Sequence, residues 1–173
     1  MTSKEILDEF KALASEKSTS IMENQGARNA MGVKVEDMKK IVKRIKQNKA
    51  LSLELFATGI PDAQYLAGLI SAPEEMSREE IQVWAETANY WMISEHPVAW
   101  VASEGNYAIE LATTWIDSPE EKIASCGWAS LAAFVSIRSN EEIDFALIDK
   151  LLDRAKSEMA AENRNRVRYT MNG

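Results

Sequence analysis

The chain is poor in the residues that staple, kink or ligate: one cysteine, one histidine, four prolines and seven glycines in 173 residues. A single cysteine excludes an internal disulfide. One cysteine beside one histidine excludes a Cys/His zinc site, so no metal is expected. Cys126 reads as a small buried hydrophobe. So few prolines and glycines exclude a disordered linker and a turn-rich all-β fold. Long apolar runs are lacking too. The longest resemble "LAAFV", far below the roughly 20 residues that cross a bilayer, and "MTSKEILDEFKALASEK" is charged where a signal peptide would be apolar. No membrane association is expected, and a reducing cytoplasm is the expected compartment. Period-2 alternation is absent, so no strand is placed. No P-loop, G-x-G-x-x-G, H-E-x-x-H, G-x-S-x-G or EF-hand loop occurs, and no cofactor is expected.

What is present is helix signal and an uneven charge. The net charge is −7. Lys34 to Lys49 nevertheless holds seven Lys/Arg against two Asp/Glu, while Ala72 to Glu121 holds eleven acidic residues against Arg78 alone. A short basic band on an acidic body is not the charge of a generic nucleic-acid binder.

Thr2 with Glu5 and Ser77 with Glu80 have capping-box spacing. The first of these opens a helix expected over "TSKEILDEFKALASEK", with Ile6, Leu7, Phe10, Leu13 and Ala14 on one stripe. "QGARNAMGV" reads as a loop. "VEDMKKIVKRIKQN" places Val35, Met38, Ile41, Val42 and Ile45 on one face and most of its lysines on the other. Pro61 is expected at the first position of a helix. Ser118, Pro119 and Glu121 are expected at the N-cap, N1 and N3 of another. Helices of about 10 to 18 residues pair loosely over 51–71, 78–103, 105–137 and 141–173. That is the pattern of an all-α fold, an α-solenoid of stacked helix pairs, with a compact bundle as the alternative.

Two features could carry chemistry. In "ETANYWMISEHPVAWVASE", a single helix would put Trp84, Ala88, Trp91 and Glu95 on one face, with Trp91 and Glu95 direct neighbours. Pro97 lacks an N–H and disfavours helical geometry at His96, so a kink or restart is expected there. Trp84, Trp100, Trp115 and Trp128 read as core, and His96 as an incidental histidine without a partner. The second feature is the polar side of the basic helix, Lys39, Lys40, Lys43 and Arg44, with Arg164, Arg166 and Arg168 as a smaller cluster. Such cations suit several phosphates met at once, and equally suit a solvated helix face.

The order of these segments resembles the HEAT-like-repeat DNA alkylation repair proteins, which include 3-methyladenine and 7-methylguanine DNA glycosylases. "MGVKVEDMKKIVKRIKQNKALSLELFATGIPDAQYLAGLI" matches the family's Gly-Val loop, basic helix and two following helices. "NYWMISEHPVAWVA" falls where the family has a tryptophan followed four residues later by an aspartate. "ATTWIDSPEEKIASCGWASLA" falls where it has a tryptophan, a loop and a helix.

The resemblance implies a HEAT-like α-solenoid over 1–173, lacking the family's last helix pair, and a monomer that meets alkylated double-stranded DNA. It implies Glu95 as the catalytic carboxylate, stabilising an oxocarbenium-like sugar as an N3- or N7-alkylated purine leaves. Trp91 would be its contact partner, with Tyr90 at the groove's flank. Lys39, Lys40, Lys43, Arg44, Arg164, Arg166 and Arg168 are the expected phosphate contacts.

Three departures stand out. Glu95 replaces the aspartate. The family's helix-borne arginine would fall at Ala124 or Ser125. A further tryptophan would fall at or beyond Asn172–Gly173. The alternative reading is therefore a non-catalytic scaffold that binds DNA structures or a protein partner.

Overall fold

A computed structural model describes residues 1–173, and every regular element in it is helical. The elements are α1 (Ser3–Leu13), α2 (Glu16–Asn24), α3 (Val35–Ile45), α4 (Lys49–Ala57), α5 (Pro61–Ile70), α6 (Arg78–Thr87), α7 (Trp91–Ile93), α8 (Ala99–Glu104), α9 (Ala108–Ile116), α10 (Glu121–Ile137), α11 (Phe145–Glu158) and α12 (Asn165–Met171). Short 3₁₀ turns at Pro73–Glu75 and Asn140–Glu142 join successive pairs. From α4 to α10 the helices follow the expected pairing, whereas α12 packs on α10 rather than on α11. α4 packs on α5, α6 leads into the α7–α8 rod, α9 packs on α10, and α11 and α12 close the chain.

The capping boxes at Thr2/Glu5 and Ser77/Glu80 both form, and Pro61 is the first residue of α5. Other expected boundaries move, each because a distant group takes a backbone partner. The first expected helix breaks at Ala14. Ser15 donates its backbone N–H to the Met31 carbonyl at 3.1 Å and caps the separate helix α2. α10 starts at Glu121 rather than just after Ser118. Ser118 still closes α9, donating its N–H to Trp115, and its carbonyl is held by Arg164 Nη1 at 2.7 Å.

The rod from Trp91 to Glu104 does not break at Pro97. Ser94–Val98 form one π turn, in which the Ala99 N–H reaches back to the Ser94 carbonyl. The wider turn accommodates a proline that would crowd the carbonyl four residues back in an α-helix. α5 approaches this turn at Gly68, where an added Cβ would lie 2.6 Å from the Pro97 Cβ.

The main core gathers buried side chains from Ile6 to Cys126, and a smaller cluster of Ala112, Ile116, Ala124, Trp128, Leu131, Ala155 and Val167 lies beyond α10. α10 serves both, presenting Ile123 and Cys126 to one and Ala124, Trp128 and Leu131 to the other. Trp84, Trp115 and Trp128 are buried as expected, and Trp84 stacks on Phe56 with ring centroids 4.1 Å apart. No helix is long and apolar enough to cross a membrane.

Candidate nucleic-acid interface

Glu95 sits on the π turn with only 3% of its side chain exposed. Both of its carboxylate oxygens are held by Arg166, in the first turn of α12. Arg166 Nε donates to Oε1 at 2.9 Å, and Nη2 donates to Oε2. The Arg166 backbone N–H in turn donates to Glu121 Oε1 at 2.7 Å, which fixes the start of α12 against the start of α10. The guanidinium carbon lies 4.0 Å from the Trp91 ring centroid and 4.5 Å from that of Tyr169, so the cation is held between two aromatic faces. The hydrogen bonds to Glu95 hold its pKa above the ordinary arginine value. The result is a charge-neutral, bidentate pair beneath an aromatic surface, with Arg166 Nη1 left without an acceptor inside the protein. Tyr169, exposed beside this pair, offers an aromatic ring suited to stacking on a base or sugar.

The expected single face of Trp84, Ala88, Trp91 and Glu95 does not exist, because the backbone leaves helix at Ala88 (ψ 129°) and re-enters at Trp91. Several backbone groups exposed by that break are taken by side chains. Lys122 Nζ donates to the carbonyls of Glu86 at 2.8 Å and Ala88 at 2.9 Å, and its partial burial lowers its pKa. Gln64, itself buried, accepts the Asn89 N–H at 2.8 Å. Trp91 and Glu95 still belong together, but it is Arg166 that joins them.

Trp91 also reaches the opposite way. Its indole Nε1–H donates to the Gln25 carbonyl at 3.1 Å, tying the rod to the loop that follows α2. Asn89 accepts the Arg28 N–H at 2.9 Å and donates to the carbonyls of Arg28 and Gly59. Asp62, fully buried, accepts the N–H groups of Met31 at 2.7 Å and Val33 at 2.8 Å. His96 is exposed, with its ring 6.4 Å from Trp91 and 5.7 Å from Trp100, and desolvation lowers its pKa.

The family model described as DNA alkylation repair enzyme matches residues 6–172. The chain belongs to that family. It is 30% identical over 171 aligned positions to the protein Lin0241 of Listeria innocua, covering 95% of this chain and 73% of the relative. The protein Lmo0209 of Listeria monocytogenes gives the same identity and coverage. A solved structure, presented as a new family of proteins related to the HEAT-like repeat DNA glycosylases with affinity for branched DNA structures, superposes with a TM-score of 0.94 at 34% identity. That superposition covers 99% of this chain and 73% of the other. The fold is therefore the HEAT-like repeat.

Within the family, the expected site residues part company. Ala124 and Ser125 are fully buried, so no cation stands there. The site does not lack an arginine, however, since α12 delivers Arg166 to the carboxylate from another helix. That corrects the expectation of a missing cation, and it withdraws Arg166 from the freely available phosphate contacts. Tyr90 is no groove flank. It is 5% exposed, its hydroxyl donates to Met92 Sδ at 3.3 Å, and burial pushes its pKa up to about 12.

Arg164 is engaged by Glu162 and the Ser118 carbonyl, whereas Arg168 is exposed and unpaired. On α3, Lys40 pairs with Asp37 and Arg44 with Glu9, while Lys39 and Lys43 project without a carboxylate partner. Sequence reading missed Asp62, Asn89 and Lys122. Only Asn89 carried a signal, as a helix-breaking residue between two helical patterns.

Proposed function

We propose that the protein binds DNA of irregular geometry, branched or junction-containing, and that its Glu95 does not serve base excision. The observation that carries this reading is that Arg166 occupies both oxygens of the Glu95 carboxylate. A carboxylate about 4 Å from a developing oxocarbenium contributes about 4 kcal/mol at an effective dielectric of 20. A guanidinium fixed on the same carboxylate contributes with the opposite sign and cancels most of that gain. The sugar would also have to reach a side chain that is 3% exposed. What remains on the surface is an aromatic–guanidinium face suited to contact rather than hydrolysis. The family membership and the printed affinity of the structural relative for branched DNA support a DNA ligand.

Two measurements on one preparation test the reading. Labelled linear duplex, three-way and four-way junctions are titrated over a series of salt concentrations, and release of 7-methylguanine is followed with the protein in excess. The expected result is tighter binding to junctions than to linear duplex, with no base released. Release that disappears in Glu95→Gln overturns the non-catalytic half of the reading, and absence of DNA binding overturns the other half.

A further inference from the structure

We infer that the loop from Gln25 to Val33 is a preorganised phosphate clamp of the DNA interface, with Arg28 as its contacting residue and Asn89 as its positioning residue. The inference rests on the DNA-binding reading above and deepens it by naming a contact element outside the Trp91–Glu95 pair.

Nine residues without regular structure are ordinarily mobile, but this loop is held from four directions. Trp91 Nε1–H takes the Gln25 carbonyl, and Asn89 clasps Arg28 from both sides, accepting its N–H and donating to its carbonyl, each at 2.9 Å. Asp62 takes the N–H groups of Met31 and Val33, and the Met31 carbonyl accepts from the Ser15 N–H. Gly32 adopts φ +74°, and a Cβ there would lie 2.5 Å from the Ser15 carbonyl oxygen, so the loop is also seated tightly on the start of α2. The Asn89 side chain spends both amide hydrogens and its oxygen on this arrangement and the neighbouring Gly59 carbonyl.

So much hydrogen bonding to one loop fixes the backbone of Arg28 while leaving its side chain exposed. Arg28 forms no ion pair, unlike Arg44, Arg78, Arg138, Arg154, Arg164 and Arg166. Its neighbours in the chain repeat that condition. Of the nine lysines and arginines without a carboxylate partner, six (Lys17, Arg28, Lys34, Lys39, Lys43 and Lys46) fall within residues 17–46, and Lys122, Lys150 and Arg168 lie elsewhere. An arginine whose backbone is fixed in advance loses less freedom on meeting a phosphate than one on a mobile loop, and its fork matches phosphate geometry. Because Trp91 holds both Arg166 and the Gln25 carbonyl, the aromatic face and the clamp form one rigid unit.

Junction binding as a function of salt tests the clamp with wild type, Arg28→Ala, Arg28→Lys and Asn89→Ala. Arg28→Ala is expected to bind about threefold to tenfold more weakly, with a log–log salt slope shallower by about 0.9 for one lost phosphate contact. Arg28→Lys is expected to restore the slope and part of the affinity. Asn89→Ala is expected to weaken binding and flatten the slope while Arg28 is still present, which a purely structural role would not do. Arg28 is exposed, so its variants remain informative even if Asn89→Ala fails to fold. A wild type that binds junctions while Arg28→Ala matches it in affinity and slope overturns the clamp alone. A wild type that binds no DNA overturns the DNA reading and the clamp with it.

Discussion

The two ends of the α7–α8 rod are unlike. At Trp91 the rod meets the Gln25–Val33 loop, Arg28 and the guanidinium of Arg166. At Glu104, about 20 Å away at 1.5 Å per residue, it borders a cleft lined by Glu74, Glu75, Gln47 and Arg138. One end offers cations and an aromatic face, and the other offers mostly carboxylates. A net charge of −7 describes neither. A negatively charged chain can still present local cations wherever they are left unpaired.

The same contrast divides the basic residues themselves. Arg166 and Lys43 are interchangeable in a charge count, but one is spent inside the protein and the other is not. Arg166→Ala is expected to give the largest effect, about 3 kcal/mol of lost stability in urea unfolding, because it strands a buried carboxylate. Glu95→Gln in the same chain should recover part of that loss, with non-additivity above about 1 kcal/mol. Additive losses would mean that the two side chains do not depend on each other.

Next comes Gly68→Ala, expected to cost about 1–3 kcal/mol by forcing the rod's π turn away from α5. A structure of that variant with Pro97 unmoved would break the link between this glycine and the placement of Glu95.

The double variant Lys39→Ala/Lys43→Ala on α3 sharpens the contrast between unpaired cations and the acidic cleft. It should leave stability within about 0.5 kcal/mol and flatten the salt dependence of DNA binding by up to about 1.8. Glu74→Gln/Glu75→Gln in the acidic cleft should change neither slope nor stability. Equal responses from the two pairs would erase the distinction.

The smallest expected effect is Tyr90→Phe. Burial raises the Tyr90 pKa from 10.0 to about 12, so the folded state holds the proton longer than the unfolded one. Stability from this group is complete below pH 10 and is lost as pH rises through about 12. The variant should therefore lose stability less steeply than wild type across that window, measured by thermal unfolding at successive pH values.

How much could be read in advance depended on the reach of the interaction. Capping boxes at Thr2 and Ser77 and the proline at the start of α5 involve residues three or four apart, and they formed as spaced. Ser118 had an equally good local signal, but its carbonyl is taken by Arg164, 46 residues away, a competition invisible in the local pattern. Asp62 looked like an ordinary acidic residue in a first helical turn and is instead a fully buried acceptor for a loop 29 to 31 residues earlier. Trp91 and Glu95 were found because they are four apart. Arg166 was named as a cation, but its partner lies 71 residues away.

The sequence by itself determined the helices, the all-α class, the basic band and the Trp91–Glu95 neighbourhood. Helical periodicity and end signals act over one or two turns and can be read along the chain. Only the tertiary structure decided which charges are available. Whether an arginine faces solvent or a buried carboxylate depends on which helices pack together, and packing joins residues that the sequence keeps far apart. That decision left Glu95 neutralised beneath Arg166 and left Arg28 held at the surface with its charge unspent.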